Sequence, residues 1–347
     1  MKTAKKKIGI LTGGGDCPGL NPAIRGCVYA AEKFGYQCVG LQDGWKGLVN
    51  GVTMPLDRET VEYAIMKGGT MLGTSRTNPF KEEANVRKCL ANFKKLGLHA
   101  LVAMGGEDTL GVATRLYGEH KLNVVGVPKT MDNDLSATDY TFGFDTSVTK
   151  AMEAAEALMD TGRSHRRVMV MEVMGRHAGW VALFTGIASA ADYVCLPERK
   201  INTIELIAKI KASYARKRFA LVVTSEAAVL PAEKADATKH ELDQFGHHIL
   251  KDRGMGERIA DFIEKNTGFE TRSAVIGHMQ RGGAPTLFDR ILGTRVGIKA
   301  AELVRDRDFG KMSALVGNKI VGVPLADATG ELKTVSKEWF DMMEVLF

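Results

Sequence analysis

A chain of 347 residues is long enough for one or two domains, and 45% hydrophobic with 25% charged residues is an ordinary globular composition. No apolar stretch has the length needed to cross a bilayer, and the opening MKTAKKKIGILTGGGD meets glycines too soon for a secretory signal, so a soluble cytoplasmic protein is expected. The net charge of +6 includes no basic tract and no interleaved aromatics, which argues against nucleic acid and leaves a small anionic ligand or a solvated surface as its reason.

The first element is the apolar run KKIGILT, followed by glycines and a helical stretch from Leu20. The same order of apolar run, glycine or polar turn and helix returns in HALVAMGGEDTLG and, without the helix at once, in LNVVGVPKTMDND. RVMVMEVMGRHAGW, RFALVVTSE and RSAVIGHMQRGG continue it. Short apolar runs bounded by glycine and separated by helices predict parallel sheets built from βαβ units, an α/β fold. VMVMEVM is expected to be a core strand, because strands covered on both faces are almost continuously apolar. Residues 227–268 break the rhythm and read as a charged insertion ending in an amphipathic helix around GERIADFIEKN. The five cysteines, Cys17, Cys27, Cys38, Cys89 and Cys195, form no CxxC pair and are expected to be reduced thiols in the core.

Where each apolar run ends, the chain places polar residues: Gly15 and Asp16, Glu107 and Asp108, Lys129 to Asp134, Gly175 and Arg176, Glu226, and His278 to Gly283. In open α/β sheets ligands bind outside the carboxyl ends of the strands, so one site is expected to collect all of these. The turn TGGGDCPG fails the dinucleotide spacing at Pro18 but keeps backbone N–H groups suited to phosphate at Gly14 and Gly15; a merely tight turn is the alternative. No GxxxxGK[ST] pattern is present, which excludes a P-loop enzyme. Glu107 and Asp108 either meet phosphate through Mg²⁺ or simply complement a helix N-terminus. Asp132 and Asp134 crowd two carboxylates together, as a general base for a phosphoryl acceptor would need, with Lys129 and Thr130 supplying charge and a hydrogen bond. An Asx-rich turn with an exposed lysine is the other reading. Arg167, Arg176, Arg272 and Arg281 flank predicted strands, where guanidinium forks can grip phosphate oxygens. His278 is either a core histidine or a ligand contact.

In this order, GGGDCPGLNPAIRG, GGTMLGTSR, GGEDT, PKTMDND, DYTFGFDT, SHRR, EVMGRHAG, ETR and GHMQRGG resemble the successive signatures of the phosphofructokinase family, from Ile8 to beyond Arg295. The resemblance implies two Rossmann-like domains with mostly parallel sheets and an active site in the cleft between them. Residues 1–142 with about 279–325 would form the phosphoryl-donor domain, and 143–278 with the C-terminal segment the sugar-phosphate domain. It implies Asp132 as base for the 1-hydroxyl of fructose 6-phosphate, Asp134 in support, and Thr130 and Arg76 on the phosphoryl group in flight. Met174, Gly175, Arg176 and Glu226 would contact the sugar, and Arg167, Arg272, His278 and Arg281 the 6-phosphate. The counterparts of Arg167 and Arg272 come from a neighbouring subunit in the family, so a homodimer or homotetramer with shared sites is implied. Mg²⁺ is the implied cofactor, with Glu107 as its protein ligand.

Two departures from the ATP-using pattern, GGDG[ST] and PGTIDND, occur together here, at Asp108 and Lys129. Glycines at those positions leave room for the α-phosphate and nucleoside of ATP; an aspartate fills that room and repels the α-phosphate, while the lysine attracts a shorter anion. In the family this pair marks members that use pyrophosphate, which is therefore the expected donor, with ATP or mixed-donor use as the alternative. ATP-using bacterial members also bind nucleotide effectors partly through two arginines of the first helix; Arg25 is kept, but Tyr29 stands at the second position.

Overall fold

The structure, a computed structural model, describes residues 5–231 and 254–347. Two sheets carry the chain. The first contains β1 (Lys7–Thr12), β2 (Gln37–Leu41), β3 (Thr53–Leu56), β4 (Leu98–Gly105) and β5 (Val124–Pro128). The chain then builds the second sheet from β6 (Val168–Val173), β7 (Tyr193–Cys195), β8 (Ala220–Ser225) and β9 (Thr271–Val275), and returns to the first with β10 (Lys311–Val316) and β11 (Lys319–Pro324).

The first sheet has the order β11-β10-β5-β4-β1-β2-β3, and only its outermost pairings, β10 with β11 and β2 with β3, are antiparallel. The second has the order β7-β8-β6-β9 and is parallel throughout. In the first sheet the chain passes from β1 to β2 on one side and to β4 on the other, so the carboxyl ends of β1 and β4 meet at a reversal of strand order, where a crevice opens.

Helices cover both faces of each sheet, which is why the strands are so uniformly apolar. All six residues of β6, VMVMEV, are buried, as expected of a core strand. The helix Met255–Thr267 stands where the sequence predicts one; its Ile259, Ala260 and Ile263 pack with Val168, Val170 and Val222 of the second sheet. It thereby serves as the crossover from β8 to β9, and the remaining part of the predicted insertion, residues 232–253, lies outside the described residues. All five cysteines are buried and free, and burial pushes the thiols of Cys17, Cys38, Cys89 and Cys195 up to about 12.

Two long helices bring the returning chain back to the first sheet. A Cβ at Gly297 of the helix Leu287–Arg305 would lie 2.1 Å from the Ala23 carbonyl oxygen of the helix Leu20–Lys33, so glycine is what allows the two backbones to touch. At the start of Leu287–Arg305, buried Asp289 accepts hydrogen bonds from the amide and hydroxyl of Thr146 at 2.8 and 2.5 Å. Thr146 opens the helix Phe144–His165 leading into the second sheet, so this contact ties the two halves together behind the cleft.

Candidate active site

A cleft of about 220 Å³ opens between the two sheets, lined by residues from the carboxyl ends of β1, β4, β5, β6 and β8 together with Arg76 and Arg281. The β1 turn is held from two sides. The amide of Gly13 donates to the Met104 carbonyl at 2.9 Å, and the Gly14 carbonyl accepts from the Thr74 hydroxyl at 2.6 Å, which also positions the segment ending in Arg76. A Cβ at Gly15 would lie 1.8 Å from Nη1 of Arg281, so a side chain there would displace that guanidinium. Arg281 reaches this turn from the short helix Gly277–Arg281 after β9, so a side chain from the second sheet's end closes over a loop of the first.

Lys129 follows β5 directly and is buried, with its backbone amide on the Gly105 carbonyl at 3.0 Å and its ammonium on the Gly15 carbonyl. Burial pushes its pKa down, Arg281 adds to that, and Asp132 and Asp134 oppose it. Its Nζ also lies close to Gly14, where a Cβ would stand 3.5 Å from it. Thr130 accepts the Asp132 amide on its Oγ1 at 3.1 Å, leaving the hydroxyl proton available to a ligand.

Asp132 is a buried, perturbed acid of the cleft. Burial, then the neighbouring Asp134 carboxylate, raises its pKa to about 7, with Glu226 adding to the rise and Arg281 and Lys129 opposing it. Its Oδ1 is buried with no hydrogen-bond partner. A carboxylate oxygen left unpaired in a cleft, with a pKa near neutrality, suits a general base. The loop carrying it turns at Asn133, which sits at φ 52 and whose Oδ1 accepts from the Thr141 amide at 3.1 Å.

On the opposite wall, Met174 and Arg176 follow β6 and Glu226 follows β8. Buried Gln280 accepts the Met174 amide at 2.9 Å, and the Ser225 hydroxyl donates to the Gly175 carbonyl at 2.6 Å. Both fix the backbone that presents these side chains.

Of the residues singled out in the sequence, Gly14, Gly15, Arg76, Glu107, Asp108, Lys129, Thr130, Asp132, Asp134, Met174, Arg176, Glu226 and Arg281 line this one cleft. Gly175 lies behind the wall. Arg167, Arg272 and His278 do not line it: both arginines reach Glu270 at 2.7 Å, and His278 is exposed. Asp16, named in the sequence at the end of the first apolar run, lines the cleft too, whereas sequence reading missed Gly106, Thr109 and His177 as lining residues. Thr109 was visible only as the residue after GGED; its importance is steric, since a Cβ at Gly13 would lie 2.5 Å from its hydroxyl. Among the described residues no group of three or more His, Cys, Asp or Glu side chains is placed to hold a metal ion. In the first helix the Tyr29 ring carries the guanidinium of Arg25 at 4.2 Å and that of Arg58 at 4.4 Å, and Arg58 pairs with Glu32 at 2.9 Å.

The phosphofructokinase family model matches residues 7–304. The pyrophosphate–fructose 6-phosphate 1-phosphotransferase of Streptomyces coelicolor is 49% identical over 343 residues, covering 98% of this chain and 99% of its own. ATP-dependent 6-phosphofructokinase 2 of the same organism is 45% identical over 347 residues, covering 98% of this chain and 100% of its own. The crystal structure of pyrophosphate-dependent phosphofructokinase from Nitrosospira multiformis superposes with a TM-score of 0.84 at 20% identity, over 96% of this chain and 87% of that one.

Proposed function

The chain belongs to the phosphofructokinase family, and from that premise we propose that it transfers a phosphoryl group from pyrophosphate to the 1-hydroxyl of fructose 6-phosphate, giving fructose 1,6-bisphosphate and phosphate. It is a phosphotransferase, and because donor and product phosphates are comparable anions the reaction runs in both directions. The choice of pyrophosphate rests on one observation: Asp108 and the buried Lys129 stand together in the cleft. Beside the cleft, Asp108 also lines a hollow of about 310 Å³ with Phe80, Gly111 and Val112. A nucleoside would have to pass the Asp108 carboxylate to enter it, whereas pyrophosphate needs only the part of the cleft facing Lys129.

Asp132 takes the proton of the attacking hydroxyl, and its burial together with the Asp134 carboxylate keeps its pKa high enough to hold that proton. Phosphoryl transfer needs position and positive charge more than covalent chemistry, and Arg76, Lys129, Thr130 and Arg281 supply these, with Gly14 and Gly15 offering backbone at close range. Met174, Arg176 and Glu226 hold the sugar. The residues fit Mg²⁺ arriving with pyrophosphate, since magnesium takes one or two carboxylates together with phosphate oxygens and water, and Glu107 and Asp108 offer hard oxygens on the wall. Bound there, it neutralises charge on the phosphates.

In this reading the first sheet, with residues 1–142 and about 279–325, is the donor half, and the second sheet with the C-terminal segment is the acceptor half. The 6-phosphate grip comprises Arg167, Arg272, His278 and Arg281, of which Arg167 and Arg272 serve a neighbouring protomer. The edge strand β9 exposes Val275, and beside it Met279, Leu287, Phe288 and Ile291 are exposed, an apolar face suited to a second copy of the chain. A cytoplasmic location belongs to the same reading; among the described residues no helix is long and apolar enough to cross a membrane.

The deciding experiment measures initial rates with fructose 6-phosphate and Mg²⁺, offering pyrophosphate or ATP, in the wild type and in Asp108→Gly. Turnover with pyrophosphate, little with ATP, and a gain of ATP use in Asp108→Gly are expected. Wild-type turnover with ATP alone would overturn the donor assignment and leave Asp132 as base.

A further inference from the structure

The residues after the last helix of the first half form a strap across the back of the catalytic loop. Leu332 bridges Leu135 in antiparallel fashion, the Ser136 hydroxyl donates to the Glu331 carbonyl at 2.6 Å, and the Lys333 amide donates to the Asp134 carbonyl at 2.8 Å. The strap then crosses to the second half. The Trp180 indole N–H donates to the Lys333 carbonyl at 2.8 Å, and the Val335 amide donates to Glu198 at 3.0 Å. Glu198 uses the same oxygen to accept the Gly179 amide at 2.8 Å, directly after the segment that carries Met174 and Arg176.

We propose that Lys333 is a positioning residue, which locks the loop bearing Asp132 and Asp134 and fixes it against the sugar side of the cleft. Its ammonium donates to Oδ1 of Asn133 at 3.1 Å, to the Thr138 carbonyl at 2.9 Å and to the Asp139 carbonyl at 2.8 Å. These three bonds use every donor of an ammonium, and they gather both ends of the loop at one point. Asn133, between the two aspartates, holds its left-handed φ of 52 while its side-chain oxygen serves Lys333 and the Thr141 amide together. Because Asn133 adjoins Asp132, a shift of its side chain moves the base. Burial lowers the pKa of Lys333 to about 8, while Asp139 and Asp134 pull it back up, so the ammonium form holds at neutral pH. Lys333 lines no part of the cleft itself, so its effect passes through the loop.

The inference rests on Asp132 being the base, and the test separates the two. Lys333→Met keeps the apolar stem and removes the ammonium; it is assayed beside the wild type and Asp132→Asn with pyrophosphate, fructose 6-phosphate and Mg²⁺. The expected result is a fall in kcat of about 10- to 100-fold with KM for both substrates nearly unchanged, the signature of a displaced base and not of lost binding. In Lys333→Ala, added ethylammonium is expected to restore part of kcat. Wild-type kcat in Lys333→Met, or a rise in KM with kcat intact, overturns the positioning role whatever happens to the melting temperature. If Lys333→Met does not fold, Trp180→Phe keeps the ammonium and cuts the tether to the second half. A fall in kcat there supports the proposal, and an unchanged kcat overturns it. Substantial turnover in Asp132→Asn sinks the reading of the base instead.

Discussion

The two groups of cations that the sequence marks for phosphate are built in opposite ways. Lys129 is buried, tied to the glycine turn, and surrounded by Arg281, Asp132 and Asp134, so its charge is held in place before any ligand arrives. Arg167 and Arg272 lie on the far side of the second sheet, partly exposed, sharing Glu270. A buried cation close to carboxylates interacts strongly and is poorly screened, whereas a solvent-screened surface pair is weak and yields readily to another partner. The Lys129 side of the cleft therefore has its cations held in place within the chain. The arginines expected on the sugar phosphate are held by a weak pair that an incoming phosphate can replace.

The largest expected effect breaks the preformed side at its centre. Asp132→Asn should lower kcat by about 10²- to 10⁴-fold, the usual worth of a general base. The wild-type kcat/KM should fall as pH drops below about 7, because the base must be deprotonated, and that limb should be missing from the residual activity of the variant. The same substitution should stabilise the fold. A carboxyl whose pKa is raised on folding binds its proton more tightly in the folded state, so ionising it costs stability. The cost begins above the ordinary value of 3.8 and is complete above about 7. The melting temperature of Asp132→Asn should thus exceed that of the wild type at pH 8, and the gap should close toward pH 4. An unchanged melting temperature at pH 8 would show that Asp132 is better solvated than its buried Oδ1 implies.

An intermediate effect is expected at Lys129. Lys129→Met removes a charge-assisted contact worth about 1.5–3 kcal/mol, so KM for pyrophosphate should rise about 10- to 100-fold while that for fructose 6-phosphate changes little. Equal rises in both would mean that the lysine holds the loop and not the donor.

The smallest effect should come from the exposed side, and it sharpens the contrast. Arg272→Ala should raise KM for fructose 6-phosphate about tenfold and leave that for pyrophosphate alone, if the arginine leaves Glu270 for a sugar phosphate. Unchanged KM values would leave Arg272 as an ordinary surface ion pair.

Much of the cleft was legible because parallel βαβ units deliver their turns to one edge. Once GGED, KTMDND, MGR and SE were placed after strands, their convergence followed from topology, and the family resemblance added Arg76 and Met174 to make thirteen lining residues named without coordinates. Arg167, Arg272 and His278 were as conspicuous in the sequence as Arg176 and Arg281. Only the structure separates them, because Arg167 and Arg272 stand at the amino ends of β6 and β9 while Arg281, past the carboxyl end of β9, reaches Gly15.

The sequence alone determined the fold class, the six strands β1, β4, β5, β6, β8 and β9 that carry the cleft, and the chemical character of the turns after them, since periodicity and turn chemistry are local properties of neighbouring residues. By contrast, β2, β3, β7, β10 and β11 emerged only with the structure. The resemblance to the phosphofructokinase signatures also implied that Asp108 and Lys129 act together on the donor. Tertiary structure decided what depends on residues far apart in the chain. Arg281 lies over Gly15, Gln280 holds Met174, and Lys333 donates to Asn133 from 200 positions away. The environment that raises the pKa of Asp132 to about 7 was likewise invisible in TMDND, because burial and the fields of Arg281 and Glu226 arise only when the two sheets close around it.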